Sequence, residues 1–131
     1  MENNKFEQYT FICEALANKK GNDITVLDLG DTATVSDIFV IVTANSETHM
    51  RTLVEAADEA LIKNGIPHPR IEGENSPHWR LVDGDNIFVH VFSHKGREHY
   101  KIEKVWGDAE IYNYEYKSEE IEHYGISRDN P

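Results

Sequence analysis

The sequence predicts a mixed α/β domain, a four- or five-stranded sheet flanked by helices, and three features carry that expectation. Apolar, β-branched runs of strand length occur along the chain; segments whose apolar residues recur every three or four positions precede and separate them; an Asp-Gly turn joins the last two runs. At 131 residues the chain suits one domain with one hydrophobic core. That domain is expected over residues 1–108, followed by an acidic, tyrosine-containing tail over residues 109–131.

From about Asn4 to Asn18, Phe6, Tyr9, Cys13, Leu16 and Ala17 share one helical face, and Gly21 stands where a cap would end it. Ile24 to Leu29 reads as the first strand. Asp37 to Ala44 is an almost unbroken apolar run, the pattern of a strand covered on both faces. Ser46 offers a hydroxyl N-cap, Glu47 complements the helix dipole, and Met50, Leu53, Ala57, Ala60 and Leu61 form the stripe of a second helix that Gly65 and Pro67 close. Its place between strands fits a crossover connection.

A short extended piece around Arg70 to Glu72 leads into His78 to Asp83 and, after Gly84 and Asp85, Asn86 to Phe92. The Asp83-Gly84 turn makes these two runs a hairpin. Ile87, Val89 and Val91 point one way and Phe88, His90 and Phe92 the other, so this strand is expected in the middle of the sheet. A last short helix is expected over Arg97 to Val105, stopped by Gly107. Beyond it, Asp108, Glu110, Glu115, Glu119, Glu120, Glu122 and Asp129 outnumber Lys117 and Arg128, the composition of a partly ordered tail.

Thirteen Lys and Arg against 24 Asp and Glu give a formal charge of -11. That balance opposes extensive contact with nucleic acid or anionic lipid and favours a basic partner surface. Lys19 and Lys20 are a pair, not a patch. The single cysteine, Cys13, forms no intrachain disulfide and reads as a small core residue. No apolar run approaches the roughly 18 residues of a membrane span, and the N-terminus lacks signal-peptide character. A cytoplasmic location is the expectation.

The sequence offers little catalytic chemistry. His90 and His94 have ligand-like spacing, but the pair starts in a strand and ends beyond it, so a metal site is not expected. Asp83 and Asp85 could hold magnesium in a nucleotidyltransferase-like enzyme; the hairpin turn accounts for both, and no glycine-rich phosphate cradle accompanies them. No serine lies in a nucleophile elbow. Binding rather than catalysis is favoured, without a cofactor. Trp79 and Trp106, with Arg80, Arg97, Tyr100 and Glu103 near them in sequence, are the residue types that dominate interfaces, and equally the types that fill cores.

Over about Ile24 to Asp108 the chain resembles the ribosomal silencing factor family, also called Iojap. The blocks that carry the resemblance are Ser36 to Ser46, Glu72-Gly73, Trp79 to Asp85, Val89 to Phe92 and Arg97 to Ala109. Two positions depart from the pattern: Ile38 stands for a usual tyrosine and Asn45 for a common glycine.

The resemblance implies a sheet similar to that of nucleotidyltransferases without their catalytic motif. It also implies a function: binding the large-subunit ribosomal protein numbered fourteen, blocking subunit joining, and repressing translation when nutrients are scarce. Carried onto this sequence, the partner-binding candidates are Trp79, Arg97, Tyr100, Glu103, Trp106 and Asp108, aromatics as anchors and acids facing basic residues. Away from the ribosome an exposed aromatic patch is expected to pair two copies into a homodimer. A large-subunit assembly factor and the magnesium enzyme stand as alternatives.

Overall fold

The computed structural model of the chain describes residues 9–32, 35–101 and 110–114. In order these form α1 (Thr10–Asn18), β1 (Asn22–Thr32), β2 (Val35–Ala44), α2 (Glu47–Lys63), β3 (Arg70–Glu72), β4 (Trp79–Asp83), β5 (Ile87–Ser93), α3 (His94–Tyr100) and β6 (Glu110–Asn113). One six-stranded sheet runs in the order β3-β4-β5-β2-β1-β6. β2 and β5 are parallel, as the α2 crossover requires, and every other neighbouring pair is antiparallel.

The mixed α/β class is as expected, with six strands in place of four or five. The extra strand is β6, whose four residues fall in the expected tail; Val26 pairs Tyr112 and Leu27 pairs Ile111. A short edge strand flanked by acids carries almost no periodic signal.

α1 and α2 cover one face of the sheet. Ile12, Cys13 and Leu16 from α1, and Met50, Leu53, Ala57 and Leu61 from α2, pack with Val26, Val40, Val42, Val82, Val89 and Val91. Burial and Glu14 push the Cys13 thiol up to about 12, so it stays protonated in the core. β5, between β4 and β2, is the central strand its two apolar faces predicted.

Helix ends show which glycines matter. α2 is capped by Ser46, whose hydroxyl accepts the His49 amide at 3.0 Å, and closed by Gly65 at φ 96, with Ile66 N–H donating to Leu61 O at 3.0 Å. At the end of α1, Lys20 takes the left-handed conformation (φ 65), and Gly21 N–H donates to Leu16 O at 2.9 Å. Gly21 is therefore the residue after the cap, required for space: a Cβ there would stand 2.6 Å from Val42 Cγ2. The stretch of the first helix expected before residue 9 lies outside the described residues.

In the β4–β5 hairpin the left-handed residue is Asp85 (φ 82), with its amide donating to Asp83 Oδ1 at 2.9 Å. α3 starts three residues before the expected Arg97, because the Ser93 hydroxyl accepts the Gly96 amide at 2.9 Å. It stops at Tyr100 rather than Val105, since Lys101 turns left-handed at φ 46. Gly107 lies outside the described residues.

Candidate protein-binding face

The sheet's other face is aromatic. Strand alternation and the β4–β5–β2 register place side chains in three rows: Trp79, Phe92 and Thr43; Leu81, His90 and Ile41; Asp83, Phe88 and Phe39. α3 packs on β5 and β2 at one end and sets Tyr100 beside the first row. Ring centroids of Trp79 and Tyr100 are 5.2 Å apart, and those of Phe92 and Tyr100 5.6 Å. Trp79 stacks on His90 at 5.9 Å and on Phe92 at 6.1 Å, with interplanar angles of 13° and 14°. Phe92 is core; Trp79 is 36% exposed and Tyr100 43%. Two exposed rings thus rest on a buried aromatic layer, the combination of accessible area and rigid support that interface anchors share.

The chain holds Trp79 in place through the turn before it. Gly73 is left-handed (φ 77), and a Cβ there would lie 2.8 Å from the Trp79 carbonyl. That turn brings Ser76 round to accept the amides of His78 and Trp79 at 3.3 and 3.2 Å. The Ser93 amide in turn donates to the His78 carbonyl at 3.1 Å. The Glu72-Gly73 pair thus has a mechanical reason: it aims the tryptophan.

His90 fixes the ring of Trp79. Its Nδ1 accepts the Trp79 Nε1–H at 3.1 Å, so the neutral imidazole carries its proton on Nε2. Nε2 is buried and has no hydrogen-bond partner among the described residues. Burial lowers the His90 pKa from 6.5 to about 4. Because the folded value lies below the unfolded one, the associated stability is complete above the unfolded pKa and is lost as pH falls through the folded one. Urea unfolding is expected to lose about 2 kcal/mol between about pH 7 and pH 5 from this residue. A His90→Gln chain with the same pH slope as the native one would show that His90 is not its source.

Of the six partner-binding candidates, the structure brings Trp79 and Tyr100 together. Arg97 is engaged with the scaffold: its Nη1 donates to Thr43 Oγ1 at 2.8 Å and its Nη2 to Thr25 Oγ1 at 3.0 Å, tying α3 across β2 and β1. Glu103, Trp106 and Asp108 lie outside the described residues. His90, Leu81, Phe88 and Phe39 are face residues outside the candidates expected from sequence. Phe88 and His90 already alternated with Phe92 in sequence, but Phe39 joins them only through the parallel pairing. Asp83 spends Oδ1 on the turn, and no three His, Cys, Asp or Glu among the described residues are grouped to hold a metal. His94 Nε2–H donates to Asn45 Oδ1 at 2.8 Å, away from His90's aromatic contacts.

The chain matches, over residues 2–130, the family model described as "Ribosomal silencing factor during starvation". The chain belongs to the ribosomal silencing factor family. The match extends past Asp108, so β6 and the acidic segment fall within it. Among ribosomal silencing factors, that of Bacillus subtilis is 34% identical over 97 residues, covering 74% of this chain and 82% of the relative. The mouse protein named for mitochondrial assembly of the ribosomal large subunit is 28% identical over 94 residues, 70% of this chain and 41% of its own length. A crystal structure of a Chromobacterium violaceum protein superposes with a TM-score of 0.68 at 28% identity, covering 89% of this chain and 92% of that one.

Proposed function

We infer that the chain binds the large ribosomal subunit through its ribosomal protein numbered fourteen, using the Trp79–Tyr100 face, and sterically blocks joining of the small subunit. Translation is thereby repressed when nutrients are limiting. Family membership supports the role, and the exposed ring pair seated on His90 and Phe92 is the observation that supports the surface. The formal charge of -11 suits a basic ribosomal protein. No step of this role requires catalysis or a cofactor.

Cosedimentation with purified subunits tests the reading. The protein is expected to travel with large but not small subunits, to reduce the yield of joined ribosomes, and to dissociate as salt rises past the range where screening weakens exposed ion pairs. Undiminished joining at saturating protein would rule it out. The name of the mouse relative supports a second reading, large-subunit assembly. Association confined to immature particles would favour it over silencing.

A further inference from the structure

On the helical side of the sheet one charged group is only half used. Arg80 is 6% exposed, and its Nε donates to the Ser76 carbonyl at 2.8 Å. Among the described residues no carboxylate pairs with it and its Nη groups make no hydrogen bond. Nor are they sealed in, since among those residues only His90 Nε2 is a buried side-chain polar atom without a partner. Arg80 lines a cleft of about 380 Å³ between α2 and the β3–β4 hairpin.

A guanidinium taken this far out of water is costly unless an anion or acceptors answer it. Its outer edge offers parallel N–H donors, the fork that a carboxylate or phosphate oxygen pair matches. The rest of the cleft narrows the choice. Arg51 and Asn75 add donors, while Glu55 and Glu74 add two carboxylates with no ion pair among the described residues. Val54 and Ile71 supply an apolar wall. Two arginines and two glutamates leave the lining without net charge, which disfavours a phosphate dianion and suits a ligand bearing one charge of each sign.

We propose that this cleft binds a small zwitterionic carboxylate of the α-amino-acid class. The carboxylate lies on Arg80, the ammonium group meets the glutamates, and a short aliphatic side chain covers Val54 and Ile71. Ser76 links the cleft to the aromatic face, because its carbonyl takes the Arg80 Nε–H and its hydroxyl takes the His78 and Trp79 amides. A carboxylate drawn to the guanidinium acts on the turn that aims Trp79. The proposal does not depend on which ribosomal surface the aromatic face meets.

The test is an NMR titration of the ¹⁵N-labelled full chain with L-valine, acetate and inorganic phosphate. L-valine is expected to shift the Arg80 Nε–H and the Asn75 and Trp79 amides saturably, binding at least about tenfold more tightly than acetate or phosphate. Arg80→Lys keeps the charge without the fork and is expected to weaken L-valine about tenfold. Arg51→Gln, at an exposed helix position, is expected to weaken it about threefold and decides the matter if Arg80→Lys fails to fold. Failure of L-valine to saturate, or unchanged affinity in the folded variants, overturns the site. Phosphate binding more tightly than L-valine overturns the amino-acid assignment.

Discussion

Gly96→Ala is expected to lower the unfolding free energy by about 3 kcal/mol in a urea titration, at the upper end of what overpacking costs. Gly96 is buried where α3 meets the turn before β4, and an added Cβ would collide with the His78 backbone carbonyl. A side chain could rotate away; a carbonyl that accepts the Ser93 amide cannot without breaking the tie between turn and strand. Helix propensity alone pulls the other way, since alanine is preferred to glycine in a helix by about 1 kcal/mol. The sign of the change therefore decides which effect wins. A stabilised Gly96→Ala chain would mean that α3 does not press on His78, while Lys95→Ala, at the exposed neighbouring position, is expected to stay within about 0.5 kcal/mol of native.

Trp79→Ala is expected to weaken binding to large subunits by about 2 kcal/mol or more, roughly a thirtyfold loss. Truncation removes an exposed ring that stacks on two buried ones and leaves the His90 Nδ1 acceptor unanswered. Trp79→Phe separates these effects. It keeps a ring on Phe92 but has no N–H, so it is expected to retain most of the affinity while losing about 1 kcal/mol of stability. Native affinity in a folded Trp79→Ala chain would move the interface to another surface.

Much of the scaffold was legible in the sequence because its determinants are local. Ser46 announced the start of α2, its stripe of Met50, Leu53, Ala57 and Leu61 named its buried face, and Asp83-Gly84 announced the hairpin. The exceptions are local signals that were hidden or missing. Ser93, just past the expected strand, ends β5 and also caps α3; Lys101 ends α3 without the glycine that usually marks such a turn. The site was less legible because its parts converge from distant segments. Arg97 reads as an interface arginine until Thr43 and Thr25 arrive from two other strands to occupy it. His90 alternates with Phe88 and Phe92 in the sequence, but its service to Trp79 depends on the β4–β5 register, which pairs Trp79 with Phe92.

The single parallel pairing in the sheet has a consequence for how the chain acquires its aromatic face. β1 with β2, and β4 with β5, are neighbours in sequence and close short loops, whereas Ile38 to Ala44 must find Ile87 to Ser93 across the whole α2 crossover. Long-range closure of this kind is the slow, entropically expensive event in folding. The aromatic face straddles that seam, with Phe39 and Thr43 on one side and Phe92, His90 and Trp79 on the other. The β4–β5–α3 side carries Trp79, His90, Phe92 and Tyr100, and the parallel pairing adds Phe39, Ile41 and Thr43 from β2 to complete the three rows. A chain in which β2 and β5 have not yet paired therefore lacks the complete three-row face, whose last column arrives only with this long-range closure.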